Sequence, residues 1–552
     1  MKKILLALGF SALICLLPIE NLSAQEISNR FIQNNLENLE QGKHLKLLGR
    51  SLFSSVLVPE FYQARNYQPA WISGNGDLQG AAKVIEAIAS MADHGLQPDD
   101  YHFRNAKRAF SRLESAIAEG TAGPQAIAEL DILLTDAMMM MVSHLYMGKV
   151  DPESIKAQWK IQRGRPDLDA TSKIREGLER SKNALEILRD FYPSNPLYGY
   201  IMEALKYYRS LEKLPTFEAI KLKKSSIKPD EEDENIPAIR QRLVFLKMLE
   251  AGNTENQYLY DAALQAGIRR LQKLHGLNAD AVIGKATLDA LNMSIETRNT
   301  LLTINLERMR WMPWDIGEFY GWVNIADQRV YFKTRTDTLY AGRAIIGRDY
   351  RRTPVFEAKM DHIVFSPTWT VPPTILNNDV LPAVRKDIGY LASKNMRVLT
   401  MSGQQVDPKS IDWSKTGRGG FPYMIRQDPG PQNALGLVKF MFPNTYNVYM
   451  HDTPSKELFE KDDRALSSGC IRIENPKALA ILLLKEQGWT EERITAAMNS
   501  GREQLVRLDK KLPVIITYMT AWADAKGEIH FRNDLYKRDA ELIAALKGKP
   551  SI

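Results

Sequence analysis

The period of the apolar positions changes about halfway along the chain. From Phe31 to Leu214 they recur at three and four, as in "LQGAAKVIEAIASMADHGL" and "PQAIAELDILLTDAMMMMVSHLYMG". That spacing gathers the apolar side chains on one face of a helix. It predicts a helical domain over residues 31–214, with Gly95 and Gly148 at helix C-termini. The run Met138 to Met141 is expected as buried helix filler rather than as an adaptable binding surface. Residues 221–237, "KLKKSSIKPDEEDENIP", are polar and dense in charge, and read as a linker or exposed loop. A compact helical unit follows over 238–292.

After "ERMRWMPW" the period falls to two. "FYGWVNIADQRVYFKTRTDTLYAGRAIIG" alternates apolar and polar positions and is rich in aromatic and β-branched residues, as strands are. Strand signals continue in "HIVFSPTWTV" and "NVYMHDTP". The stretch Pro513 to Asp534 reads as a hairpin turning at Asp524 to Gly527. A polar insert with a helical start and the glycines of "TGRGGF" occupies 377–421. The β-rich domain is expected over 318–525, with a C-terminal strand and tail over 526–552.

The chain of 552 residues is long enough for about three domains. Its first 24 residues, two lysines and an apolar run from Ile4 to Ile19 before Ala24, have the pattern of a signal peptide. Export to the periplasm or cell envelope is expected. An uncleaved signal would instead hold the protein near the inner membrane. A formal charge of +7 suits an anionic polymer or a membrane surface as neighbour. It forms no basic tract of the kind that binds nucleic acid, so no nucleic-acid partner is expected.

Of two cysteines, Cys15 is expected to leave with the signal, which would leave Cys470 alone in an oxidising compartment. A lone cysteine there is either a reactive thiol or an inert small hydrophobe. Its neighbours bear on the choice. In "ALSSGCIRIENP", Gly469 permits a sharp turn, "IRI" reads as a strand, and Asn475-Pro476 reads as a helix N-cap with proline at the first turn. Turn N–H groups could then face a carbonyl oxygen. His451, nineteen positions before Cys470, is the candidate base that would set its thiolate character; the alternative is a structural hydrogen bond. No metal motif of the H-E-x-x-H or C-x-x-C type and no G-x-S-x-G is present, so no metal or organic cofactor is expected.

The segment Asn433 to Ile473, "NALGLVKFMFPNTYNVYMHDTPSKELFEKDDRALSSGCIRI", resembles the active-site signature of the YkuD-type L,D-transpeptidases. "PTWTVPPTI", which contains Trp369, is similar to the substrate-side strand of the long YcbB-like branch. "RRLQKLHGLNADAVIGKATLDALN" is similar to a three-helix peptidoglycan-binding module, with Ala281 in place of a usual glycine. "YQPAWI" and "HGLQPDDY" resemble the scaffold domain of that branch. The resemblance implies a multidomain α+β protein: helical scaffold, three-helix module and β-rich catalytic domain with 377–421 as a lid. It implies Cys470 as nucleophile and His451 as base. Tyr449 would lie near the oxyanion, or simply pack. Gly469 and Cys470 would supply the oxyanion N–H groups. Arg472 would hold a substrate carboxylate or brace the loop. Ser468 stands where many members have histidine. The implied function is formation of 3→3 cross-links in cell wall biogenesis, with peptidoglycan stem peptides as donor and acceptor. An L,D-carboxypeptidase and a non-catalytic wall-binding scaffold are the alternatives. Carbapenem-type β-lactams are the implied inhibitors.

Overall fold

A computed structural model describes residues 24–40, 46–73, 76–155, 158–162, 169–214, 217–252, 254–416 and 420–549. The expected signal segment lies outside the described residues, apart from Ala24, which opens the helix Ala24–Glu40. Among the described residues no helix is long and apolar enough to cross a membrane.

The N-terminal half is built around the helix Pro124–Met147. Met138 to Met141 are all 0% exposed, so this helix is apolar on every side and other helices must enclose it. Ala24–Glu40, Leu57–Gln63, Gln79–Ser90 and Phe103–Ala118 do so. Its buried Asp131 accepts the Tyr62 hydroxyl at 2.5 Å and the backbone N–H groups of Ala70, Trp71 and Ile72. A small hairpin, β1 (Lys46–Leu47) and β2 (Arg50–Ser51), lies against the same domain.

The stretch 221–237 is not a linker. Ile227 and Ile236 are fully buried, and Ile227 exchanges backbone hydrogen bonds of 3.2 and 2.9 Å with Ile283. Two isoleucines dock a charged stretch onto the module, whose helices are Ile236–Phe245, Ala262–Leu274 and Lys285–Asn292.

The helix Ile295–Arg310 leads into the β-rich domain. Its strands are β3 (Trp159–Lys160), β4 (Phe319–Asn324), β5 (Arg329–Thr334), β6 (Thr338–Gly347) and β7 (Val355–Phe365), then, beyond the insert, others from residue 438 onward. The insert contains β8 (Trp369–Thr370), β9 (Met396–Leu399), β10 (Gln405–Val406) and β11 (Met424–Gln427). After it come β12 (Val438–Met441), β13 (Met450–His451), β14 (Ala465–Ser467), β15 (Ile471–Ile473) and β16 (Gln504–Thr517). The large sheet runs β12-β13-β15-β6-β5-β4-β16-β7-β3, with β14 paired to β6. Because β12 also pairs with β7, the sheet closes on itself around a core that includes Val323, Phe332, Ile346, Phe440 and Ile471.

Three expected boundaries move. The helical domain does not run unbroken to 214: β3 joins the large sheet, and the helix Pro196–Leu211 packs on Ile295–Arg310 in the core of the β-rich domain. Helical periodicity reports a helix, not which core it fills. The insert extends beyond 377–421: β8 to β11 form their own four-stranded sheet over a core with Leu376, Leu381, Val398 and Ile425. Gly417 and Gly419, expected hinges, lie outside the described residues. A cut at 525 divides the hairpin of β17 (Ala521–Ala523) and β18 (Ile529–Phe531). The expected tail contains the helix Asp539–Lys547, held by the buried Arg308–Asp539 ion pair at 2.7 Å.

Candidate active site around Cys470

Strand pairing assembles the site. β13 runs parallel to β15 with Met450 opposite Ile471 and His451 opposite Arg472. Side chains alternate across a strand. Met450, Ile471 and Ile473 therefore enter the core, fully buried, while Tyr449, His451, Cys470 and Arg472 share the other face.

Cys470 follows a tight turn. Gly469 has φ +118°, a conformation in which a side chain is strained. Its N–H donates to Ser467 Oγ at 3.1 Å, its carbonyl accepts Thr353 Oγ1 at 2.9 Å, and Ser467 Oγ donates to the Cys470 carbonyl at 2.6 Å. The Gly469 N–H thus braces the turn in this structure. The helix Pro476–Leu484 starts where expected, but Asn475 has φ +51° and its side chain caps nothing.

The half-buried Cys470 thiol lies 3.7 Å from the Asn447 carbonyl oxygen. Burial pushes its pKa up; hydrogen bonding from Tyr449 and the charge of Arg472 oppose that. The Tyr449 phenol is itself pushed up, first by burial and then by Cys470. Its ring lies 5.7 Å from that of His451. His451 Nδ1 donates to the Asp452 carbonyl at 2.5 Å. A carbonyl only accepts, so the proton sits on Nδ1 and Nε2 keeps its lone pair. Burial, then Arg472, push His451 down to about 3, with Lys439 and Lys456 adding to the effect. Burial thus disfavours both charged forms, an imidazolium at His451 and a thiolate at Cys470.

Arg472 forms no ion pair among the described residues, and its buried Nε has no acceptor. Burial, then Arg348, push its pKa down, while Cys470 opposes. Trp369 lies on β8 at the root of the insert, where it packs on the insert core.

Sequence reasoning missed the segment Gly347 to Pro354, "GRDYRRTP". It passes behind the turn, and Thr353 holds Gly469. Arg351 Nη1 donates to the exposed Ser468 Oγ and to Asp379 of the insert, both at 2.9 Å. Three arginines within five positions at a strand end were the available signal. Among the described residues, Asp524, Glu528 and His530 form a cluster with metal-ligand types. It lies on the β17–β18 hairpin, not at Cys470, and Asp524 Oδ1 already accepts the N–H groups of Lys526 and Glu528.

The architecture is that of a multidomain α+β protein whose closed β-rich domain presents a cysteine and a histidine on adjacent strands. Residues 318–494 match the L,D-transpeptidase catalytic domain model of the YkuD family. Residues 232–291 match a "Putative peptidoglycan binding domain", and 56–205 a scaffold domain. The chain thus carries a YkuD-type L,D-transpeptidase catalytic domain together with a peptidoglycan-binding domain. A "Putative L,D-transpeptidase" of Haemophilus influenzae is 36% identical over 282 residues, 50% of this chain and 56% of that protein. The chain therefore spans about half the length of this curated relative. A crystal structure of the L,D-transpeptidase from Xylanimonas cellulosilytica is 12% identical, over 54% of this chain and 100% of that one, with a TM-score of 0.18.

Proposed function

We propose that the protein is an extracytoplasmic L,D-transpeptidase that forms 3→3 cross-links in peptidoglycan through a Cys470 acyl-enzyme. The observation that supports it best is the shared face of Tyr449, His451, Cys470 and Arg472 within the matched domain. Cys470 sulfur attacks the carbonyl between an L-centre and the terminal D-residue of a donor stem. The C–S bond forms, and the C–N bond breaks. His451 Nε2 takes the thiol proton during the attack and returns it to the leaving amine. An amine of a neighbouring stem then attacks the thioester; His451 takes its proton and passes it to the departing sulfur. Because both groups are neutral at rest, proton transfer accompanies attack rather than preceding it.

The Cys470 N–H and the Tyr449 hydroxyl are the donors best placed for the oxyanion, and Arg472, without an acidic partner among the described residues, suits a substrate carboxylate. The insert acts as a lid, secured to the site through the Arg351 contacts with Asp379 and Ser468. Carbapenem-type β-lactams would acylate the same sulfur. Purified protein with tetrapeptide muropeptides, followed by mass spectrometry, tests the reading. Cross-linked dimers from wild type and none from Cys470→Ala are expected. Dimers from Cys470→Ala would overturn the mechanism. Tripeptides without dimers would assign an L,D-carboxypeptidase instead.

A further inference from the structure

A cavity of 470 Å³ lies where the three-helix module meets the β-rich domain. Its floor is the outward row of β5. Arg329, Tyr331 and Lys333 alternate there with the core residues Val330 and Phe332. The module supplies Lys273 and Gly276 to its rim. Arg532 joins the two bodies, through Nε to Asp327 at 2.6 Å and Nη1 to the Leu274 carbonyl at 2.8 Å. Gly276, with φ +70°, leaves room for that guanidinium, since a Cβ would come within 2.5 Å of Nε.

Six cationic side chains line the cavity against two carboxylates, Asp327 and Asp524. Arg532 is answered by Asp327, and Arg343 by Glu474 and Glu460 from outside. The other four, Lys273, Arg329, Lys333 and Arg464, form no ion pair among the described residues, although Asp524 acts on Lys333, and Asp327 on Arg329 and Arg464, from farther off. Arg464 is buried and donates to the carbonyls of Gln328, Ala344 and Lys461, with no carboxylate partner among the described residues. Burial pushes its pKa down; Asp327 opposes, while Arg329 and Arg343 add to the push. Among the described residues Arg329 and Lys333 form no ion pair, and Lys333 lies 5.3 Å over the Trp322 ring. His530 Nδ1, also at this cavity, is buried without a hydrogen-bond partner among the described residues. Cations that outnumber carboxylates six to two in one cavity repel one another, and an anion relieves that repulsion. The tryptophans are already packed, Trp322 against Tyr331 and Trp522 against His530 and Arg532, so charge rather than ring stacking dominates recognition.

We propose that this cavity binds the carboxylates of a peptidoglycan stem peptide and so holds a wall strand at the junction of module and catalytic domain, apart from Cys470. The proposal rests on the wall-polymer reading above. Arg329 and Lys333 supply separate donors to carboxylates, and Lys273 brings the module's own charge to the rim. The tether raises the local concentration of wall strands at the enzyme.

Co-sedimentation with purified peptidoglycan sacculi over a sodium chloride series tests it, with the R329Q/K333Q double variant and, separately, Lys273→Glu at the exposed rim. Unchanged thermal melting checks the fold. The double variant should bind sacculi at least about tenfold more weakly, with a shallower salt dependence. Its kcat on a soluble tetrapeptide should stay within about twofold of wild type, since Cys470 is untouched. Lys273→Glu should weaken binding in the same sense. Soluble tetrapeptide should compete with sacculi for the wild type. Sacculus binding unchanged in both variants overturns the site. Competition by inorganic pyrophosphate but not by tetrapeptide overturns the carboxylate assignment. A wild type that neither sediments with sacculi nor turns over tetrapeptide would sink the functional reading itself, a result distinct from variants that merely match an active wild type.

Discussion

The protonation state of Cys470 can be read directly from the pH dependence of its alkylation. Burial holds the thiol above its ordinary value despite Tyr449 and Arg472. At pH 7 that leaves the thiol form dominant. A resting ion pair with His451 would instead leave most molecules as thiolate, so the two cases differ by at least about tenfold in labelling rate at pH 7. The measurement is iodoacetamide labelling of Cys470, followed by mass spectrometry between about pH 6 and 10. The rate should climb through the whole range without a plateau below pH 9. In Arg472→Gln the profile should move up, because a cation that favours the thiolate is gone. In His451→Ala it should stay in place, because a neutral imidazole lends the thiol no charge. Turnover should behave oppositely: His451→Ala should lose about 10²- to 10⁴-fold, the usual worth of a positioned base. A plateau reached below pH 8, or a profile that rises in His451→Ala, would show an ion pair at rest and refute the reasoning.

Cys470→Ala should keep its melting temperature yet form no covalent adduct with a carbapenem, as intact-protein mass spectrometry reports. His451 and His94 are both held near 3 in the folded chain, against about 6.5 when unfolded. The unfolded state therefore binds more protons below pH 6.5. Stability should be full above that value and fall as pH drops toward 3, by up to about 1.4 kcal/mol per pH unit for each histidine. Denaturant titrations at about pH 7 and 5 measure it, and equal stabilities would contradict the assignment. Gly469→Ala should strain the turn by about 1–3 kcal/mol and suppress acylation, seen as slower carbapenem adduct formation. Arg351→Ala removes a partly exposed ion pair worth about 0–1 kcal/mol, so the fold should persist. Hydrogen exchange across residues 369–427 should nonetheless rise, and an unchanged profile would leave the insert without its expected fastening.

The sequence revealed those parts of the site that lie close along the chain. His451 and Cys470 are nineteen positions apart on adjacent strands, so one signature spans both. Thr353, which holds Gly469 across 116 positions, and Tyr536, which accepts the Thr353 N–H across 183, carry no local mark of that role. Average composition hid Ile227 and Ile236 inside a charged stretch, and a helical period could not assign Pro196–Leu211 to the second core. The protonation state escaped for another reason. A histidine beside a cysteine makes an ion pair only where the surroundings favour both charges. Here the charges that push His451 down are Arg472, Lys439 and Lys456, all positive, and Lys456 is itself paired with Asp452. Arg472 favours a thiolate and disfavours an imidazolium, and burial disfavours both. Spacing can bring the two residues together, but the balance that keeps them neutral is set by side chains on other strands and by the exclusion of water. In the proposed mechanism the proton moves as the sulfur attacks, when the developing oxyanion adds negative charge to the site.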